Sequence, residues 1–356
     1  MQKNASLTLL AALLAGGCAQ FGPHALQPAR ANYAQALGRS SAEQLLLNLV
    51  RLRYRDNPVF LEVGSVVTHY SLLRGAAVGG KVAAGGTREG TLGASLSLSE
   101  DPTITYSPLQ GEEFVKRLLT PIDPSVVVYL SQSGWSLERL LMCCIQKANA
   151  LRNATSAAGP TPDYVPDFSE FRALAHALRQ LQVAGLLDIE CADGKHMQLH
   201  VRPTESPELG HARSEVIRLL DLDPQAEVYT VLPALNRQRR DEIAFTGRSL
   251  LGTMYFLSQA VAVPADDERA GLVTVTRRQG GERFDWNELL GRLIAIRHAP
   301  AEPTSAAVRV NYRGSWFFIA DDDLNSKSTF SLLTLLYSLK AGTKDAREPL
   351  LTLGVQ

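Results

Sequence analysis

The sequence predicts an α+β fold in which helices pack on small antiparallel sheets, with a long glycine-rich hairpin near the N-terminus. Segments with apolar residues at helical spacing alternate along the chain with short segments at period-two spacing. Turn residues such as Asp193-Gly194 and Arg313-Gly314 join successive predicted strands, which indicates antiparallel pairing. The 356 residues are 45% hydrophobic and 20% charged, a composition typical of globular proteins with more than one domain.

The chain begins with a segment that is typical of a secretory signal. Lys3 precedes an apolar run from Leu7 to Leu14, which is too short to remain as a membrane-spanning helix. Small residues from Ala15 to Gly17 then lead directly to Cys18. The stretch resembles the signal of bacterial lipoproteins, in which the cysteine thiol receives a diacylglyceryl group, the preceding peptide is removed and the new amino end is acylated.

The resemblance implies that residues 1–17 are removed and that Cys18 carries the lipid, palmitate included. Ala15 stands where this family usually has leucine, and Leu14 lies one place before it. Ala19 follows the cysteine where the family's inner-membrane members have aspartate, which implies the periplasmic face of the outer membrane of a Gram-negative bacterium. Acyl chains contribute about 0.8 kcal/mol per buried methylene, so several of them form a stable anchor. The alternative is an ordinary signal peptide with an incidental Cys18.

Changes in composition divide the rest of the chain into four predicted segments. They are a tether at 18–39, a helix plus long β-hairpin at 40–110, a helical domain with a winged-helix-like end at 111–205, and a C-terminal α+β domain at 206–356. A capping box at Ser40–Glu43 predicts the start of the first helix. Arg51, Arg53 and Arg55 around Tyr54 at the end of that helix favour a solvated face or a set of ion pairs, with a contact with lipid headgroups as the alternative.

The hairpin is predicted from two extended segments on either side of a glycine-rich tip. Phe60 to Leu73 forms the first strand, and the tip covers Gly75 to Gly90. Thr91 to Ser99 alternates strictly between apolar and small polar residues, as a strand with two different faces does. A half-buried sheet is the favoured interpretation. The alternative is that residues 63–99 insert into the membrane as part of an oligomeric pore, whose strands alternate in this way over about ten residues.

In residues 111–205 the pattern predicts helices followed by one hairpin. The helices cover Glu112–Leu119, Ser136–Leu151 and Ser169–Gly185, with a further element of unspecified type at Pro124–Ser131, a linker at Asn153–Asp167 and a hairpin of Leu186–Glu190 with Met197–Val201. A helix followed by a hairpin is similar to half a winged helix. In a periplasmic protein that shape favours an interaction module over a DNA reader, and this rests on fold-level analogy alone.

The remaining residues predict alternating helices and strands. They comprise a linker at Pro203–Gly210, helices at Ser214–Leu220, Gly247–Ala260, Asp285–Leu293 and Phe330–Leu339, and strands at Glu227–Leu232, Leu272–Thr276, Ala307–Tyr312 and Trp316–Ile319.

Three cysteines remain besides Cys18, and the sequence predicts that they are buried thiols. Cys144 lies on the apolar stripe of its predicted helix, and Cys143 is its neighbour, so their side chains diverge by about 100°. Cys191 directly follows a separate predicted strand. A redox or metal role is the less favoured alternative, although the predicted compartment permits disulfides.

Two stretches match catalytic or binding motifs only in part. Gly75–Lys81 has the spacing of a phosphate-binding loop, but Val82 replaces the hydroxyl that would hold magnesium, and no helix follows. Asp321–Asn325 begins like a calcium loop, but Leu332 stands where a bidentate glutamate is required. Negative charge at a helix N-terminus explains these aspartates better, with a weak cation site as the alternative.

Other candidate residues lack the partners that their chemistry needs. His196 and His200 share one face of a predicted strand, but two ligands do not close a zinc site, which favours surface histidines. Gly247–Leu251 lacks the final glycine of a nucleophile elbow. The sequence therefore predicts no catalytic, cofactor-binding or metal-binding residues, and Cys18 is its single predicted site.

Several passages resemble a group of uncharacterised proteobacterial outer-membrane lipoproteins. They are Glu43–Tyr54, Pro102–Tyr106 with Gly111–Phe114, and Ser326–Phe330. The likeness covers most of the mature chain and implies no activity.

Three classes of function remain open. The favoured class is a lipid-anchored interaction or scaffolding component at the outer membrane, with an envelope protein or further copies of itself as partner. The second is a subunit of an oligomeric outer-membrane pore that uses the 63–99 hairpin. The third is an unrecognised enzyme acting on envelope polymers or lipids. A formal net charge of zero gives no field that would recruit nucleic acid.

Overall fold

A sheet of six strands organises most of the chain in the computed structural model, which describes residues 23–82, 88–160, 162–191, 197–233 and 235–341. The described helices are α1 (Pro23–Arg53), α2 (Glu112–Leu119), α3 (Pro124–Gln132), α4 (Leu137–Cys144), α5 (Ser169–Val183), α6 (Pro207–Leu220), α7 (Leu250–Ser258), α8 (Ala265–Arg269), α9 (Asn287–Leu290) and α10 (Leu324–Ala341). The described strands are β1 (Leu61–Val82), β2 (Arg88–Pro108), β3 (Ile145–Ala148), β4 (Leu151–Arg152), β5 (Leu187–Cys191), β6 (Met197–Val201), β7 (Val228–Leu232), β8 (Glu242–Gly247), β9 (Arg297–Ala299), β10 (Ala306–Tyr312) and β11 (Ser315–Ala320).

The chain divides into two units, and the fold is α+β. The hairpin unit is Val59–Glu112, and the main unit is made of the chain on both sides of it. The main unit contains the six-stranded sheet, in the order β4-β3-β8-β7-β6-β5, and a three-stranded sheet, in the order β10-β11-β9. Pairing is antiparallel except between β7 and β8, which run parallel, so the larger sheet is mixed where purely antiparallel sheets were predicted.

The core of the main unit lies between the larger sheet and helices α4, α5 and α7. Leu140, Phe171 and Met254, one from each helix, are completely buried. Burial of a side chain of this size contributes about 1.5–3 kcal/mol. No helix in the described part of the chain is both long enough and apolar enough to cross a membrane.

Several predicted elements are confirmed. Helices α2 and α5 and strands β7, β10 and β11 lie within a residue or two of their predicted bounds, and the element predicted at Pro124–Ser131 is helix α3. Strands β5 and β6 pair antiparallel as predicted, although their turn lies outside the described residues. In the tight turn between β10 and β11, Arg313 and Gly314 both have positive φ, 51° and 80°, which matches the turn that most often joins two antiparallel strands.

The prediction of a tether at 18–39 is wrong for its described part, because α1 begins at Pro23 and not at the capping box of Ser40–Glu43. The segment before the capping box is rich in alanine, the residue with the highest helix propensity, so the helix extends through it. The capping-box residues are therefore interior positions of one long helix. The signal peptide and Cys18 lie outside the described residues.

The helix predicted through Leu151 is also wrong, because α4 ends at Cys144 and the chain continues as β3. Asn153, which is completely buried, donates its side-chain amide to the carbonyls of Leu141, Met142 and Ile145, at 3.3, 3.0 and 2.6 Å. The Leu141 carbonyl also accepts from the backbone N–H of Ile145, so the Asn153 amide adds to the bonds that end the helix. The chain then pairs with β8, so sheet pairing overrides the helical pattern.

The segment Asn153–Asp167 is packed structure and not the predicted linker. It contains a 3-10 helix at Thr155–Ala158, and Ala154 and Ala157 are completely buried. Thr276 donates its hydroxyl to the carbonyl of Pro162 at 2.6 Å, which fastens the far end of the segment. The prolines here shape a buried connection.

Three further boundaries differ from prediction. Helix α6 begins at Pro207, inside the predicted linker, because the Ser206 hydroxyl accepts from the N–H of Leu209. Residues 272–276 do not form the predicted strand. Helix α10 begins at Leu324, because Asp323 accepts from the N–H of Ser326 at 3.0 Å.

The domain boundary predicted between residues 205 and 206 passes through the larger sheet. Strand β6 lies before this position, and β7, which pairs with it, lies after it. Strand β8, which was not predicted, joins β7 to β3. Residues 113–356 consequently belong to one unit with the first helix.

Candidate functional site

The described residues contain two candidate sites, which are a polar cluster at the end of α1 and the hairpin unit. The predicted site residue, Cys18, and the predicted histidine His196 lie outside the described residues. Lipidation of Cys18 therefore stays a prediction.

The polar cluster begins with the last residues of α1. Arg53 is 5% exposed and donates to the carbonyl of Thr274 at 2.9 Å. Burial lowers its pKa to about 10, opposed by the nearby charge of Glu268. Tyr54 is also buried, and its hydroxyl donates to Asp267 Oδ2 at 2.5 Å, while burial and this bond raise the pKa of the phenol. A buried arginine and tyrosine thus attach α1 to the segment around α8.

The cluster continues with Asp56, which binds the turn between β10 and β11. The Tyr312 hydroxyl and the Arg313 guanidinium both donate to Asp56 Oδ2, the latter at 3.1 Å. The bond from Tyr312, helped by Arg313, lowers the pKa of Asp56 below its usual value. The Arg313 guanidinium carbon lies 5.2 Å from the ring centre of Tyr54, within the range of a cation–π interaction.

These contacts decide between the two interpretations of the arginines around Tyr54. Arg53 is buried, and Arg55 bonds Thr274 Oγ1 and lies 3.8 Å from Asp163. Ion pairs and hydrogen bonds within the main unit therefore account for both side chains, as the favoured interpretation predicted. The sequence could not name the partners, because they lie far along the chain. The arginines on both sides of Tyr54 were the only feature of the local sequence that pointed to this polar cluster.

The hairpin unit consists of β1, with 22 residues, and β2, with 21. They pair antiparallel from Leu61 opposite Pro108 to Val82 opposite Arg88, with one irregularity between Val63 and Ser65. Both strands extend into the glycine-rich stretch that was predicted to be the tip. In the described part of the chain, no third strand pairs with either of them.

The register brings apolar positions of the two strands onto the same face. Leu72 lies opposite Leu98, Ala76 opposite Ala94 and Val78 opposite Leu92. Residues two apart in a strand share a face, so these six positions lie on one side of the ladder, together with Arg74, which lies opposite Leu96. The alternate positions pair Ser71 with Ser99, Leu73 with Ser97 and Gly75 with Ser95, and they are mostly small and polar. The period-two pattern of Thr91–Ser99 therefore belongs to both strands.

A cavity with a volume of about 440 Å³ lies between α4, α5 and α9. Met142 and Leu289 contribute apolar surface, and Glu138, Arg172 and His176 contribute charge. His176 Nδ1 lies 3.8 Å from Glu138 Oε2, and Arg172 donates to the carbonyl of Glu288 at 2.6 Å. The polar groups here partner one another, so they do not converge on a position that a ligand would occupy.

The motifs that matched in part have structural explanations. Asp323 caps α10 through the N–H of Ser326, and Asp321 pairs with Lys327 Nζ at 2.7 Å, as predicted for negative charge at a helix N-terminus. His200 Nε2 lies 3.7 Å from Glu190 Oε2. Among the described residues, no three His, Cys, Asp or Glu side chains are placed to hold one metal ion.

Cys143 and Cys144 are buried free thiols, as predicted. Burial raises the pKa of Cys143 to about 12 and raises that of Cys144 as well, so both stay protonated at neutral pH. A protonated thiol is a poor nucleophile and a poor metal ligand. The side chain of Cys191 lies outside the described residues.

Comparison with known proteins does not extend this description. No family model, no curated protein and no solved structure matches the chain.

Proposed function

We propose that this protein is a lipid-anchored component of the bacterial envelope, held through Cys18 at the periplasmic face of the outer membrane, where it acts in interaction or scaffolding. The observation that carries the anchor is the apolar run from Leu7 to Leu14 with small residues leading directly to Cys18. A cysteine in this position becomes the first residue of the mature chain in the proteins that the segment resembles.

The interaction role is supported by the hairpin unit. Two strands of 22 and 21 residues pair only with each other in the described structure. An isolated two-stranded hairpin is marginally stable in water, and unpaired edges bind other strands readily. A hairpin of this length therefore favours association with a partner.

Metabolic labelling with radioactive palmitate tests the anchor. We expect label in the wild-type protein and in Cys191→Ala, which controls for the loss of a cysteine, but none in Cys18→Ala. The labelled protein is expected to sediment with outer membranes on a density gradient. An unlabelled wild type, or label retained in Cys18→Ala, would contradict the proposal.

Crosslinking in living cells tests the interaction role. A tagged, lipidated protein is expected to give products larger than the monomer, and mass spectrometry then shows whether these contain a second copy or another envelope protein. Recovery of the monomer alone at every crosslinker concentration would contradict a scaffolding role.

A second candidate function is a subunit of an oligomeric outer-membrane pore. The observation that favours it is the shared face of β1 and β2 from Leu72 to Val82, which is apolar except for Arg74 and Arg88. A tilted membrane-spanning strand needs about 9–11 residues, and this stretch is of that length. Detergent-extracted protein would form large rings in negative-stain images. A monomeric mass by light scattering in detergent would exclude this candidate.

A further inference from the structure

We infer that the partner of the hairpin is the hairpin of a second copy of this chain, with β1 of one copy pairing along its free edge with β2 of the next. This inference rests on the proposed function, because it names the partner of the same hairpin. It begins from the outer edges of β1 and β2 beyond Leu61, along which no other strand of the described residues pairs. Each edge presents a row of backbone N–H and C=O groups that a further strand can satisfy.

The length of these edges favours a second copy over an unrelated strand. A strand of 22 residues extends about 70 Å at roughly 3.3 Å per residue. Strands of globular proteins usually have about 3–10 residues and would leave most of such an edge unpaired. The second copy supplies strands of 21 and 22 residues, which match the edge along its whole length.

The half of each edge toward Val82 and Arg88 lacks two of the three features that protect natural edge strands, although it carries the charges of Arg74, Lys81, Arg88 and Glu89. Proline, charge and bulges are the usual protection. Between Ser71 and Val82 and between Arg88 and Ser99, neither strand contains proline. The irregularity in the ladder lies at Val63/Ser65, near the other end of the hairpin. The half of the hairpin near its turn is therefore the part most ready to accept another strand.

Geometry selects β1 against β2 among the three ways in which two hairpins can meet. Antiparallel pairing of β1 with a second β1 reverses the direction of the next hairpin. Parallel pairing of the same two strands keeps the direction but turns the next hairpin over, which places its small polar face beside the apolar face of the first. Pairing of β2 with a second β2 has the same consequences: the antiparallel form reverses the direction of the next hairpin, and the parallel form turns it over. Pairing of β1 with β2 keeps both direction and face.

The charges along the register agree with this arrangement. Within one hairpin, Lys81 lies opposite Glu89, and Arg88 precedes Glu89 in β2. When β1 of one copy lies beside β2 of the next in the same register, Lys81 and Glu89 become neighbours again. Opposite charges across a strand pair contribute roughly 0.2–1 kcal/mol each.

Common direction also suits proteins that are anchored in one membrane. With β1 against β2, every copy has its hairpin pointing the same way, and therefore every lipidated Cys18 can enter the same leaflet. Such an interface is head-to-tail, and head-to-tail interfaces close into rings when the rotation between copies permits. We therefore expect a ring of copies and not a two-fold dimer.

Disulfide trapping with mixed variants tests the arrangement. Two populations of the full-length lipidated protein, one with Ser71→Cys and one with Ser99→Cys, are made in a Cys191→Ser background and differ in their affinity tags. They are mixed in detergent, reconstituted and oxidised. A disulfide requires Cα atoms within about 7 Å, so it forms only where the two strands are neighbours. A shift of the register between the two copies by two residues would leave the same faces on the same side. Two further mixtures therefore use Ser97→Cys or Asp101→Cys in place of Ser99→Cys.

We expect a disulfide-linked dimer carrying both tags in at least one mixture, several-fold more abundant than dimers within either population alone. Ser133→Cys, at an exposed position of the main unit, replaces Ser71→Cys in the control mixture and should give no linked product. Ser71→Cys dimers formed without the second population would overturn the inference in favour of a two-fold contact. Absence of a mixed dimer from all three mixtures would also overturn it.

Palmitate labelling of the same preparations separates the two proposals. Labelled, membrane-bound protein without mixed dimers would contradict the hairpin arrangement and leave the proposed anchor intact. Unlabelled protein would contradict the proposed function, whatever the crosslinks show.

Discussion

At the scale of single residues, Arg248 shows how the buried parts of the main unit are joined. Its side chain is 1% exposed and donates to the carbonyls of Asn153 and Ala154, and its guanidinium carbon lies 4.2 Å from the ring centre of Phe256. Burial lowers its pKa to about 10, which leaves it charged at neutral pH. No described carboxylate forms a salt bridge with it, so carbonyl dipoles and an aromatic ring stabilise the cation.

We expect Arg248→Ala to lower the free energy of unfolding by about 3–5 kcal/mol, because two buried carbonyls lose their donor and a cavity forms. Urea denaturation monitored by circular dichroism measures this change. Arg248→Met fills more of the volume and should cost less. Arg239→Ala, at an exposed ion pair, is the control and should change the midpoint little. Equal midpoints for the Arg248→Ala variant and the wild type would show that the bonds are not needed.

Asp56 links the end of α1 to the turn at Tyr312 and makes stability depend on pH. Its pKa is lowered in the folded protein, chiefly by the Tyr312 hydroxyl, so the stabilisation is complete above the ordinary pKa of about 3.9 and is lost as the pH falls through the folded value. Tyr312→Phe should raise the pKa of Asp56. Carbon-13 NMR titration of the carboxyl group measures it, with Asp321 as a control outside the cluster. An unchanged pKa would contradict the role of the hydroxyl.

At the scale of elements, Gly247 decides how β8 approaches the chain before α3. A Cβ atom at this position would lie 2.1 Å from the carbonyl oxygen of Ile122, a backbone atom that cannot move aside cheaply. Strand β8 therefore requires glycine at its last residue. The local sequence around Gly247 predicts the start of a helix, because the close approach depends on a residue far away in the chain.

Gly247→Ala should lower the free energy of unfolding by about 3 kcal/mol or more, since overpacking against backbone forces the strand to shift. Gly210→Ala is the matched control, because Gly210 lies inside α6 with open space around it. That change should raise stability by about 0.5–1 kcal/mol through helix propensity. Thermal unfolding of both variants measures the two changes in stability. Loss of stability at Gly210 equal to that at Gly247 would contradict the account.

Elements with local signals were predictable, and those with distant partners were not. Helix α5 and the pair β10–β11 follow from periodicity, a helix-ending glycine and a tight turn, all encoded within a few residues. The end of α4 depends on Asn153 and on pairing of β3 with β8. The same limit applies to the polar cluster, where the arginines around Tyr54 were visible but Asp267, Thr274 and Tyr312 were not. Residues that meet only after folding carry no sequence pattern.

At the scale of the whole molecule, three parts of the chain support the proposed function and the proposed association. The leader supports a lipid anchor, the hairpin unit supports association between copies, and the main unit is a helix-covered sheet with a buried core. The alternation of Thr91–Ser99 was visible in the sequence. Its register against β1, which gives the two strands a common apolar face, required the structure.

The anchor is the central claim, and mass spectrometry of the mature N-terminus tests it most directly. The protein is extracted from membranes with detergent and digested, and its first peptide is sequenced. The account predicts that this peptide begins at Cys18 and carries a diacylglyceryl group on sulfur and an acyl chain on the amino group. A first peptide that begins at another residue, or an unmodified Cys18 at the mature N-terminus, would contradict it.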